Sequence, residues 1–193
     1  MVPAAVLAVG LVVSGCNGGG EADPSPSPTL SSSSASASSS ASGSASPSPS
    51  VTSNVPVPED AKADTPEAAT AFARWFLEQG SEAGVDWDTS AVDAHSDPSC
   101  TTCAAAMQSV RDLHAKGQRY SKSRFEFGSS QVGPGAGPGT YDVDILGTET
   151  AATIIDEAGT TVRELPAEEA GYRVQLRHTA MGFRVAQVLG IQR

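Results

Sequence analysis

No lysine or arginine precedes Lys62 in this 193-residue chain, and the 12 that occur are outnumbered by 22 aspartates and glutamates. Only Glu21 and Asp23 are acidic before Pro58, so residues 58–193 hold 20 acids against those 12 bases, a net charge of −8. A chain so short of cations lacks the basic face that nucleic acids require. It equally lacks the polybasic patch that binds anionic lipid headgroups. Hydrophobic residues are scarce, at 39%, against roughly 45–50% in globular domains. Long apolar runs are missing too. The run from Ala4 to Val13 has ten residues, half of the about 20 that a helix needs to cross a bilayer. Cysteine and histidine occur three times each.

What is present begins with that short run, which fits the apolar segment of a secretory signal over residues 1–15. Val13-Ser14-Gly15-Cys16 follows. A branched apolar residue, two small residues and a cysteine make a bacterial lipobox. The peptidase needs small side chains at its cleft, and the thiol must be free to take a diacylglyceryl group before cleavage. Two or three acyl chains then hold a protein on a membrane, where one chain binds only marginally. Cys16 is therefore the expected lipidation site, and the membrane is an expected partner through that lipid. Met1-Val2-Pro3 lacks the basic opening of a signal, which is expected if a basic segment stands upstream of the assigned start. The expected location is the extracytoplasmic face of the cell membrane.

Residues 17–57 are a tether. Of these 41 positions, 16 are Ser, 6 Pro, 5 Ala and 4 Gly. Such a segment has no apolar area to offset the entropy of ordering. As coil it reaches roughly 35 Å, and its Ser-Pro stretches extend it locally. A spacer that lifts a domain off the membrane, a stalk for O-glycans and a neutral linker all fit this composition. The ordinary chain starts near Pro58 and leaves about 136 residues, one domain's length.

Thr65-Pro66-Glu67 is a helix start, with Thr as cap, Pro in the first turn and an acid beside it. Ala68, Phe72, Trp75, Phe76 and Gln79 then mark one helical face, and Gly80 is the expected end. A short helix or turn is expected between Trp87 and His95. Asp97-Pro98 is expected to open a second long helix, with Cys100, Cys103, Ala104, Met107, Val110 and His114 on its apolar stripe. Ala115-Lys116-Gly117 closes it. From Tyr120 the period becomes two. Alternating segments run over 124–127, 141–145, 152–155, 160–165, 172–177 and 183–189. Gly133 to Gly139 forms a glycine-rich loop between strands; no helix follows it, so it is not a phosphate cradle. Helices first and antiparallel strands after predict an α+β domain, with helices packed on one face of a curved antiparallel sheet.

With the lipobox and tether, Thr65-Pro66-Glu67-Ala68-Ala69 and Ser96-Asp97-Pro98-Ser99-Cys100-Thr101-Thr102-Cys103 resemble the actinobacterial lipoproteins of domain-of-unknown-function family 6318. The resemblance spans roughly residues 58–193. It implies a small roll of the cystatin-like, SnoaL and ketosteroid-isomerase architecture, with no assigned activity. Gly80 to Asp86 departs from the Thr-Gly-Asp-like turn usual there.

Cys100 and Cys103 are the obvious reactive pair. A thioredoxin-like redox motif should follow a strand in a βαβ unit, but here an Asp-Pro turn precedes it. Zinc needs two further ligands, and His114 lies roughly 16 Å along the helix. A structural disulfide suits an exported protein, and i, i+3 cysteines on a helix fall within the about 4.4–6.8 Å that a disulfide allows between Cα atoms. Acid/base candidates are Tyr141, Asp142, Asp144 and His178. Alternation sets both aspartates on the solvent face, opposite Tyr141 and Val143, while His95, His114 and His178 are too dispersed to argue a cluster. No cofactor or metal is implied. The expected function is a non-enzymatic binding domain for an envelope protein, a wall polymer or a small ligand. The alternatives are an enzyme using the roll's cavity and a thiol oxidoreductase. A cavity above roughly 300 Å³ with convergent polar groups is what separates a ligand-processing roll from a closed one.

Overall fold

The computed structural model describes residue 53 and residues 55–191. Cys16, the signal segment and nearly all of the tether lie outside the described residues. Three helices, α1 (Pro66–Asp86), α2 (Ser90–His95) and α3 (Thr101–His114), precede seven strands. The strands are β1 (Arg119–Tyr120), β2 (Phe125–Pro134), β3 (Thr140–Glu149), β4 (Ala152–Ile155), β5 (Thr161–Leu165), β6 (Glu168–Thr179) and β7 (Gly182–Gly190). The α+β class is as the sequence pattern predicts. The strands, however, divide between two antiparallel sheets rather than one, ordered β2-β3-β6-β7 and β1-β4-β5. The larger sheet carries bulges between Phe127 and Ser130 on β2 and at Ala186 on β7, opposite Gln175 and Leu176 of β6. Such bulges bend a sheet locally.

Thr65 caps α1 as expected, its hydroxyl accepting from the Ala68 N–H at 3.2 Å, with Pro66 in the first turn. Gly80 does not end the helix. α1 continues to Asp86 and stops at Trp87, whose φ of 66° lies in the left-handed region. That conformation is costly for a bulky residue. Trp87 is held there from two sides: its indole N–H donates to the Gln118 carbonyl at 2.8 Å, and its ring stacks on His114 at 4.4 Å. Glycine persists in the last turns for packing reasons. A Cβ at Gly84 would lie 2.3 Å from the Tyr120 ring, so only glycine allows β1 to sit this close to α1.

Asp97 does not cap α3 either. Its carboxylate accepts from the Ser99 N–H at 3.0 Å and the Ser99 hydroxyl at 2.8 Å, forming a turn one step earlier. The cap is Cys100, whose Sγ accepts from the Cys103 N–H at 3.3 Å. Cys100, Cys103, Met107 and Val110 are buried as the stripe predicts, but Ala104 and His114 are exposed. Both lie off the buried stripe at i, i+3, i+7 and i+10.

The core lies between α1 and the larger sheet. Phe72, Val143, Ile145, Val174, Leu176, Phe183 and Val185 are each at most 2% exposed. Val143 pairs directly with Val174 across β3 and β6. Val55 and Val57, which composition assigns to the tether, rest against this core.

Candidate functional site

Between the C-terminal half of α1, α3 and one end of the larger sheet lies a cavity of about 350 Å³. Phe76, Leu77, Val92, Met107, Phe125 and Val188 supply apolar walls, and Gly80 leaves room on the α1 side. Three polar side chains converge at one end. Glu149, the last residue of β3, accepts from the Tyr172 hydroxyl at 2.5 Å and lies 3.2 Å from Arg124 Nη1. Arg124 also donates through Nε to the Thr150 carbonyl at 3.3 Å and through Nη2 to the Pro166 carbonyl at 3.1 Å. Its backbone N–H donates to Ser81 Oγ at 2.9 Å, and Ser81 Oγ lies 2.9 Å from Ser123 Oγ. Only 14% of the Arg124 side chain and 23% of Glu149 are exposed.

The strand period places this cluster. Val143, Ile145 and Glu149 are in phase on the inner face of β3, as are Tyr172, Val174 and Leu176 on β6. Glu149 thus continues a core row, and the cluster forms where the apolar rows end. Burial, then the Glu149 carboxylate beside it, pushes the Tyr172 hydroxyl well above the ordinary tyrosine range, with the Arg124 charge opposing. Tyr172 therefore stays a phenol and a donor.

The residues singled out from sequence lie elsewhere. Asp142 and Asp144 face outward, as alternation requires. Asp144 is clasped by Arg173, with Nε–Oδ1 and Nη2–Oδ2 both at 2.7 Å, and that hydrogen bonding holds its carboxyl below the usual range. Asp142 accepts from Gln175 at 3.3 Å. The Tyr141 hydroxyl donates to Asp64 at 2.9 Å, a bond that raises its pKa. His178 Nε2 meets the Lys62 carbonyl at 3.1 Å. None of these lines the cavity beside Arg124. The dispersal expected of the histidines does not hold for two of them. His95 and His178 both line a second cavity of about 460 Å³, with Phe72 and Phe183. His95 packs edge-on against Phe72 and Trp75 at 5.6 and 5.1 Å. Burial lowers its pKa, opposed by its hydrogen bond to the Phe183 backbone and aided by the Arg184 charge. Sequence distance hid this meeting, because β7 carries Phe183 back against α1 and α2.

The Cys100 and Cys103 sulfurs are 2.04 Å apart, at disulfide distance, with Cα atoms 5.3 Å apart. Cys103 lines the cavity of about 350 Å³, and the neighbouring Thr102 hydroxyl accepts from the Val188 N–H at 3.3 Å. Asp97, in the same motif, pairs with Arg177, and Arg184 donates to the Ser96 carbonyl at 2.5 Å. The Ser-Asp-Pro-Ser-Cys-x-x-Cys string thus ties the start of α3 to β6 and β7. Among the described residues, no group of three or more His, Cys, Asp or Glu is placed to hold a metal.

No protein family matches the chain, and no curated protein matches it in sequence. Solved structures do. The chain is similar to the intermembrane space region of the chloroplast protein ARC6, at 11% identity and a TM-score of 0.49, over 64% of this chain and 97% of that one. It is similar to a protein of unknown function with a cystatin-like fold from Nostoc punctiforme, at 7% identity and a TM-score of 0.39, over 64% and 89% of the two chains. It is also similar to an NTF2-like protein with a cystatin-like fold from Novosphingobium aromaticivorans, at 15% identity and a TM-score of 0.39, over 61% and 77%. Likeness at this level transfers no activity.

Proposed function

We propose that this protein is a cell-envelope lipoprotein whose domain holds a small, mainly apolar molecule in the cavity beside Arg124, Glu149 and Tyr172. The cavity carries this reading: about 350 Å³ of space with apolar walls and one polar end is the usual construction of a small-molecule site. The Tyr172 oxygen can accept from a ligand hydroxyl there while its own hydrogen stays on Glu149, and the ring walls take the ligand's apolar body.

Holding, rather than turnover, follows from how the polar groups are spent. Tyr172 stays protonated, Ser81 is engaged with Ser123 and Arg124, and Cys103 sits at bonding distance from Cys100. The histidines named from sequence face other surroundings. A general base would need a titratable group free to take a proton beside the substrate, and Glu149, the carboxylate lining this cavity, is already engaged by Tyr172 and Arg124.

Anchoring belongs to the same reading and rests on Val13-Ser14-Gly15-Cys16 and the serine-rich stretch after it. Residues 1–15 are the signal, Cys16 carries the acyl chains, residues 17–57 are the spacer, and residues 58–193 stand outside the membrane as one domain. Membership of family 6318 is part of this proposal, supported by the motif at Ser96 to Cys103.

Titration of the full chain with the uncharged fluorophore N-phenylnaphthylamine tests the cavity. Saturable binding is expected, weakened at least about tenfold by Gly80→Leu, which puts a side chain into the space that Gly80 leaves open. Binding that is absent, or indifferent to that substitution, removes the reading. Mass spectrometry of the mature N-terminus tests the anchor: Cys16 should be terminal and acylated, and an unmodified N-terminus cut elsewhere refutes it.

A further inference from the structure

Cys100 and Cys103 are only 2% and 4% exposed, so neither sulfur can be reached by another protein. The two are nevertheless not equivalent. Cys103 lines the cavity of about 350 Å³ and Cys100 does not. Ala106 and Met107, which follow Cys103 along α3, line it as well. The open space therefore reaches Cys103 and not Cys100.

Thiol–disulfide exchange proceeds by attack of a thiolate on one sulfur as the other leaves, and the three sulfurs align. A thiolate inside the cavity meets Cys103 and not Cys100. Departure of Cys100 is assisted where it stands: its Sγ accepts from the Cys103 N–H at 3.3 Å, lies 3.6 Å from Thr102 Oγ1 and caps the 14-residue helix α3. Amide donors at a helix start favour a thiolate.

We propose that the cavity admits low-molecular-weight thiols to Cys103 and that the bridge captures them reversibly as a mixed disulfide. This rests on the cavity reading above. In the step, the incoming thiolate forms a bond to Cys103 Sγ, and the Cys100–Cys103 bond breaks. Cys100 leaves with the electron pair and takes a proton from water. The small thiol is oxidised to the mixed disulfide as Cys100 is reduced, so no further oxidant enters. Cys100 stays beside the adduct and expels the thiol when its concentration falls. The size of the cavity sets the substrate class: a thiol comparable to mercaptoethanol or cysteine, not a protein thiol.

The test treats the full chain with mercaptoethanol, quenches in acid, blocks free thiols with a maleimide in denaturant and maps the products. Mercaptoethanol on Cys103 and maleimide on Cys100 are expected. The reverse pattern, equal labelling of the two, or no adduct overturns the proposal. N-phenylnaphthylamine at about ten times its Kd should slow the adduct about tenfold. If the fluorophore binds and the adduct forms undiminished, the exchange proposal falls and the cavity reading stands. If the fluorophore fails to bind, both fall. Single-thiol variants provide an independent arm: with cystamine, Cys100→Ala should react at Cys103 at least about tenfold faster than Cys103→Ala reacts at Cys100. Equal rates overturn the proposal.

Discussion

The larger sheet carries an arginine–carboxylate pair on each of its faces, and the two are built differently. On the outer face Arg173 grips Asp144 with two hydrogen bonds at 2.7 Å, yet 42% of the arginine side chain and 30% of the aspartate remain exposed. On the inner face the Arg124–Glu149 contact is longer, 3.2 Å, but its members are only 14% and 23% exposed, and Glu149 also accepts from the Tyr172 hydroxyl. Geometry alone would rank the outer pair first. Environment reverses the order, since water screens the outer pair and leaves it little net worth. Loss of one inner partner leaves a charge or a donor short of water.

Removing one acid from each pair is the strongest way to break this contrast. Glu149→Ala should cost about 2–3 kcal/mol, because Arg124 keeps its carbonyl partners but loses its counter-charge. It should also weaken N-phenylnaphthylamine binding. Asp144→Ala should leave both the urea midpoint and the binding unchanged within error. Equal losses would mean that burial does not separate the two faces.

The wall behind the inner cluster offers a second test. Gly84→Ala should cost about 2 kcal/mol, because its Cβ would lie 2.3 Å from the Tyr120 ring. Gly80→Ala, whose Cβ would meet nothing nearer than Val92 at 3.9 Å, should stabilise by about 0.5–1 kcal/mol. The pair is read by chemical denaturation, and a common sign for both would show that the helix, not its packing, decides.

Tyr172→Phe should follow at about 1–2 kcal/mol, the worth of a phenol hydrogen bond to a carboxylate. Its equivalent outside the core, Tyr141→Phe, should shift the thermal midpoint less, because the Asp64 bond stands in water.

The smallest effect is in pH. His95 has a folded pKa below its ordinary 6.5, so the unfolded chain takes up a proton first. Stability should therefore begin to fall as pH drops below 6.5, and this loss should level off once the folded residue also protonates. Asp97, whose pKa is lowered from 3.8, should add its loss only below about pH 4. Denaturation midpoints for His95→Gln should lack the upper slope and keep the lower one.

Much of the frame was legible in the chain. Thr65-Pro66 marks its helix start because capping is local chemistry, and the core rows of β3 and β6 follow from a period of two. Gly80 and Asp97 misled for one reason: each carries a strong local signal that a tertiary contact overrides. The helix outruns Gly80 because α1 packs on the sheet beyond it. Asp97 spends its carboxylate on Ser99 and Arg177. The inner cluster was partly readable, since Glu149 is in phase with Val143 and Ile145, a carboxylate in a core row. Arg124 gave no such sign, because it precedes its strand and reaches the cluster through its length.

The sequence by itself determined the order of helices before strands, the serine-rich stretch and the expected anchor at Cys16. All are local matters of composition, spacing and capping. Only the tertiary structure decided where chemistry can occur. Glu149 and Tyr172 come from β3 and β6, Arg124 from the residue before β2, and Cys103 reaches the same space from α3. No local rule joins them, because a cavity exists only where elements distant in sequence fail to fill the volume between them.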